Sequence, residues 1–164
     1  SSGAYQLKFT TDAVSSNTSV WNDTAPSLSV ITLGNGGTNG NNDAHIAYCF
    51  HSVESYSKCG VYTGNGSIDG PFVHCGFRPA WIMFKRTDVG PSNWTIIDNK
   101  RDDVNVSDAV IYPHLSNAEG TQSATDILSN GFKLRHSTSE QNGSGAKYIF
   151  LAFAEAPFRN ANAR

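Results

Sequence analysis

The stretch "AWIMFKR" (80–86) decides the fold: its alternating positions are apolar on both sides, as in a strand covered on each face. Working outward, "YQLKF" (5–9), "WTIID" (94–98), "AVIYP" (109–113), "GFKL" (131–134) and "AKYIFLAFA" (146–154) repeat the period-two pattern. Turn-forming runs separate them: "GNGGTNGNND" (34–43), "TGNGSIDGP" (63–71), "VGPSN" (89–93) and "SEQNGSG" (139–145). Within 116–128, "SNAEGTQSATDIL", the pattern predicts a turn or two of helix started by Ser116 or Asn117. The remainder reads as an all-β, antiparallel β-sandwich.

The 164 residues suit one domain, 1–164. With 16 % charged residues and a formal net charge of −2, the chain lacks the basic clustering that nucleic acid or an anionic membrane requires. No apolar run approaches the roughly 20 residues of a membrane span, so no membrane insertion is expected. "SSGAYQLKF" carries no signal-peptide pattern and reads as the start of a piece cut from a longer chain. Six Asn-x-Ser/Thr sequons, at Asn17, Asn22, Asn65, Asn93, Asn105 and Asn142, follow from the Asn- and Ser-rich composition alone. Cys49, Cys59 and Cys75 are odd in number, lack Cys-x-x-Cys spacing and are read as reduced, mostly buried thiols.

An internal repeat organises the chain. Residues 31–53, "ITLGNGGTNGNNDAHIAYCFHSV", align with 132–156, "FKLRHSTSEQNGSGAKYIFLAFAEA". Leu33 matches Leu134, Ile46 matches Ile149 and Phe50 matches Phe153, with a turn two residues longer in the second copy. More weakly, 7–14 resembles 112–119. The chain thus holds a partial first unit (1–53) and a complete second unit (54–164), expected to pack pseudo-symmetrically.

"AHIAYCFHS" (44–52) brackets a cysteine with two histidines, which raises a metal or catalytic site. As the hairpin strand that the repeat implies, it sets His45 and His51 six residues and roughly 20 Å apart, too far to share an ion. In "VHCG" (73–76), His74 and Cys75 are adjacent on a strand and point to opposite faces, so they form no nucleophile–base pair. Asp98, Asp102, Asp103 and Asp108, mixed with Lys100 and Arg101, read as a solvated loop with surface ion pairs before they read as a glycosidase carboxylate pair. Neither a catalytic residue, a metal ligand nor a cofactor is therefore assigned. No EF-hand spacing occurs, although the carboxylates and amides near Asp43 or Asp69 leave a calcium ion open.

For ligand binding the candidates are side chains on loops. Trp21 and Tyr112 border polar loops and could stack on sugar rings, whereas Trp81 and Trp94 are read as packed. Asn22, Asn39, Asn41, His114, Gln141 and Asn142 supply amides and a ring nitrogen of the kind that bind sugar hydroxyls.

These segments resemble the C-terminal repeat domain of tailed-bacteriophage tail fibre proteins. That family's Tyr-Thr-Gly-Asn-Gly turn stands at Tyr62–Gly66, its Gly-Phe-x-Pro run and Trp-Ile-Met-x-Lys-Arg strand at Gly76–Arg86, and its aromatic-apolar strand at Tyr148–Glu155. "WNDTAPS" (21–27) fits the preceding, truncated unit, and the ending "ANAR" suggests that Arg164 closes the fibre. His51 replaces an usual Ala, and Cys59 and Cys75 replace aromatic residues. The matching motifs are turns and core strands, with Trp81, Met83 and Phe153 expected inside. The resemblance implies a position at the distal, extracellular tip of a virion's tail fibre, a homotrimer, and a bacterial surface glycan or outer-membrane protein as ligand. A structural cap without a host ligand and a glycan-degrading enzyme are the alternatives.

Overall fold

The computed structural model describes residues 5–35, 37–40 and 43–156, without the side chains of Gln122 and Ser123. Asn41 and Arg164 lie outside the described residues. The strands are β1 (Tyr5–Gln6), β2 (Ser15–Ser16), β3 (Ser57–Thr63), β4 (Phe72–His74), β5 (Pro79–Arg86), β6 (Thr95–Asp98), β7 (Ser107–Val110), β8 (Gly120–Leu128), β9 (Gly131–Leu134) and β10 (Lys147–Ala154). A single helical turn, α1 (Ser139–Asn142), separates the last two.

Two four-stranded antiparallel sheets, β3-β10-β5-β6 and β4-β9-β8-β7, face each other. The chain is an all-β sandwich. Ile96 and Ile111 exchange backbone hydrogen bonds of 2.9 and 3.1 Å, so the sheets join along the β6–β7 edge. Alternation fills the interior: Ile82 and Phe84 from β5, Tyr148, Phe150 and Ala152 from β10, Ile127 from β8, and Phe132 and Leu134 from β9. Tyr62 stacks on Tyr148 with ring centroids 4.7 Å apart. β9 and β10, the paired halves of the second repeat copy, belong to opposite sheets, and α1 carries the chain from one to the other.

Three expectations are corrected. Residues 120–128 form β8, not helix, because β7 and β9 pair with it on either side. Residues 44–52 form no strand: the first copy has no counterparts of β3 and β5 to flank it among the described residues, and His45 to His51 stand exposed. Trp81, Met83 and Phe153 lie on the outer face of their sheet, half-buried, because they alternate with Ile82, Phe84 and Ala152, which take the interior. The cysteines also differ from expectation. Only Cys75 is buried, while Cys49 and Cys59 are exposed, and all three are free thiols.

Candidate functional site

The seven candidate residues that are described separate into two groups. Trp21, Asn22 and Asn39 lie in the N-terminal region. Trp21 is half-buried, donates its indole N–H to the Tyr5 carbonyl at 3.0 Å, and lines a cavity of about 540 Å³ together with Ile31, Leu33, Ile46 and Tyr48. Asn22 is exposed in left-handed backbone with φ of 50°, and its carbonyl accepts the Thr24 hydroxyl at 2.9 Å. Asn39 is exposed.

Tyr112, His114, Gln141 and Asn142 make up the second group, and their burial differs from the solvent-facing role that loops suggested. Gln141 and Asn142 are completely buried, so neither amide reaches a ligand from this position. Asn142 works as a tie. Its Nδ2 donates to Asn65 Oδ1 at 3.0 Å, the Ser67 carbonyl at 2.7 Å and the His136 carbonyl at 2.8 Å, while its Oδ1 accepts the Asn65 N–H at 2.8 Å. Tyr112 belongs to the core cluster, and burial, followed by the nearby Glu140 carboxylate, raises its pKa. His114 sits against the Phe9 ring at 6.0 Å. Burial first, then Lys85, lowers its pKa, with Glu140 opposing.

Lys85 and Glu140, which the sequence reading passed over, tie this group to a cleft. Arg86, Val89–Asn93, Ser139 and Glu140 line a cleft of about 420 Å³, within the usual range of ligand pockets. Lys85 points outward from β5 but is covered. Its Nζ donates to the Ser92 carbonyl at 2.6 Å and lies 5.9 Å from the Trp94 ring centroid. Burial lowers its pKa, against the pull of Asp12 and Glu140. The N-terminal segment supplies the cover: Trp94 donates to the Lys8 carbonyl at 3.0 Å and Ser92 N–H to the Thr11 carbonyl at 2.9 Å. Across the cleft, Asn93 N–H donates to Glu140 Oε1 at 3.2 Å, and Arg86 Nη1 to the Ser139 carbonyl at 3.2 Å. The paired Asp88, 2.7 Å from Arg86 Nε, has its pKa lowered by that bond. The walls are thus fixed by their own hydrogen bonds, with polar groups at the rim.

His74 is exposed and Cys75 buried, as their opposite faces require, and burial pushes the Cys75 thiol up to about 12. Arg101 bridges Asp98 at 2.8 Å and Glu119 at 2.5 Å, and Asp102 accepts the Asp108 and Ala109 N–H groups, each at 2.8 Å. Asp69, one of the open calcium positions, is engaged by Lys133 at 2.9 Å and Arg135 at 3.5 Å. Among the described residues no three His, Cys, Asp or Glu side chains converge as a metal site would need. No helix among the described residues is long and apolar enough to cross a membrane.

No curated protein and no solved structure matches this chain. One family profile does, over residues 2–157. The chain therefore belongs to the DUF7483 family, a domain of unknown function.

Proposed function

We propose that this domain is a non-catalytic receptor-binding module at the extracellular tip of a phage tail fibre, recognising a bacterial surface glycan or outer-membrane protein. The observation that carries the binding part is the cleft of about 420 Å³ between Val89–Asn93 and α1. Its rim combines a guanidinium, an amide, a hydroxyl and a carboxylate (Arg86, Asn93, Ser139 and Glu140), the hydrogen-bonding groups that sugar hydroxyls pair with. The phage setting rests on the resemblance of Tyr62–Gly66, Gly76–Arg86 and Tyr148–Glu155 to tail fibre repeats. A homotrimer, with several fibres per virion, would multiply weak single contacts into firm adsorption. The lowered pKa values of Asp69, Asp88 and Asp102 make these three carboxylates poor general acids.

The deciding experiment offers the domain to an array of bacterial polysaccharides and lipopolysaccharides and measures the length of each bound glycan. Retention of an intact glycan, weakened by Asn93→Ala and Glu140→Gln, is expected. Shortened glycan would replace this reading with an enzymatic one. Binding unaffected by either variant would move the site elsewhere. A second reading, a fibre-assembly cap with no host ligand, is favoured by a separate observation: the exposed apolar side chains of Leu28, Val30, Ile31, Leu33, Ile46, Tyr48 and Phe50.

A further inference from the structure

The outward face of a sandwich sheet ordinarily alternates to polar residues. In β3-β10-β5-β6 an apolar strip crosses that face, which it shares with Ser57, Lys85 and Asp98. Val61 lies opposite Ile149, Cys59 and Met83 flank Leu151, and Trp81 lies opposite Phe153, all directed away from the interior. None of these side chains is fully buried, and Val61 is 76 % exposed. A second apolar strip runs through the first repeat copy, where Ile46 and Tyr48 are each 80 % exposed and Phe50 59 %.

The two strips are copies of one another. The alignment that sets Ile46 on Ile149 and Phe50 on Phe153 also sets Tyr48 on Leu151. They already meet at one end, where Phe50 and Phe153 pack edge to face at 6.1 Å. The fold thereby contains one example of what this strip packs against, which is its own counterpart. Beyond that contact Tyr48 and Ile46 on one side and Val61 on the other stand exposed, and Leu151 and Ile149 are half-buried.

We propose that these strips form a self-association surface whose occupant is a second copy of this chain. Extending the Phe50–Phe153 contact between molecules would bury apolar area that a separate molecule exposes, and a second copy brings the same strip to both sides. Docking uses the side-chain face and not the strand edge. Along the outer edge of β3, Ser57 already exchanges backbone hydrogen bonds of 3.0 and 2.9 Å with Val53, and Ser52 Oγ accepts the Cys59 N–H at 3.0 Å. Those bonds block strand addition over half the edge. The inference gives the assembly reading its residues and rests on neither a phage origin nor a bacterial ligand.

Sedimentation velocity and light scattering on the 164-residue chain test it. The unaltered chain is expected to be dimeric or larger at about 10 µM, and Ile46→Lys/Tyr48→Glu to weaken association at least about tenfold. Val61→Lys, on the regular sheet, is the second variant and should act likewise. Both variants should keep the far-ultraviolet circular dichroism and melting temperature of the parent's dissociated form. A parent chain that stays monomeric up to about 100 µM overturns the proposal, as do two folded variants that associate as the parent does. Neither result bears on glycan binding, so the two readings fail separately.

Discussion

Phe50 and Phe153 hold the same place in the two copies of the sequence repeat, and their rings meet edge to face at 6.1 Å. Phe153 also contacts Trp81 at 5.6 Å and Tyr56 at 6.0 Å, whereas Phe50 is 59 % exposed. The pair is therefore energetically unequal. Phe153→Ala should cost about 2–3 kcal/mol and Phe50→Ala less than about 1 kcal/mol. Urea unfolding at one fixed protein concentration measures both, the fixed concentration excluding mass-action effects of association. Equal losses would mean that the first copy is as firmly packed as the second.

That inequality shows how far sequence alone led. The alternation in 80–86, 94–98, 131–134 and 146–154 marks real strands because each has a partner to pair with. The same alternation in 44–52 marks only the capacity to pack, since pairing depends on a neighbour that periodicity cannot reveal. β8 fails in the opposite sense. "GTQSATDIL" has a weak pattern of its own, yet β7 and β9 pair with both of its edges.

Asn142 ties the 63–71 loop and the segment at His136 to α1 through one buried amide, so its replacement should act on stability. In Asn142→Ala the Ser67 and His136 carbonyls and the Asn65 N–H lose their partner in a site without exposure. A loss of about 2–4 kcal/mol in chemical denaturation is expected. Asn142→Asp should be at least as damaging, because a carboxylate would face two carbonyl oxygens. A folded Asn142→Ala protein of unchanged stability would contradict the tying role.

His114 gives a pH dependence whose sign follows from its surroundings. Burial and the Lys85 ammonium hold its pKa below the ordinary 6.5, with Glu140 opposing, while the unfolded chain protonates near the ordinary value. Below about pH 6.5 the unfolded state therefore binds more protons, and stability falls as pH drops until the native ring also protonates. His114→Phe keeps an aromatic ring beside Phe9 and removes the titration. Its stability should fall less than the parent's between about pH 7 and pH 5 in parallel urea titrations. Identical slopes would show that the ring is not held neutral.

The candidate site was only partly legible for a related reason. Polar residues near turns usually face water, yet Tyr112, Gln141 and Asn142 are buried and His114 is half-buried against Phe9. The roles of Lys85 and Glu140 depend on distant chain. Lys85 is covered by a segment whose Lys8 carbonyl binds Trp94 across 86 positions, and Glu140 reaches Asn93 across 47. No local spacing encodes such contacts. What the sequence could show was the turn chemistry that places α1 and the neighbouring loop.

Gly64 tests that turn chemistry directly. It opens the Tyr62–Gly66 turn of the family resemblance, donating its N–H to the Ala146 carbonyl at 2.9 Å and accepting the Gly145 N–H at 2.9 Å. A Cβ there would collide with the Gly143 carbonyl oxygen and lie 2.8 Å from the Asn142 carbonyl carbon. Both obstacles are backbone, which a rotamer change cannot relieve. Gly64→Ala should therefore cost about 2–4 kcal/mol by pushing the 63–71 loop away from α1. Gly145 separates this close approach from backbone conformation. It has φ of +71° but open space around a Cβ, so Gly145→Ala should cost only about 1 kcal/mol. Thermal and urea unfolding of the two variants should rank them in that order. The reverse ranking would mean that left-handed backbone, not contact with α1, is what this end of the sandwich requires of its glycines.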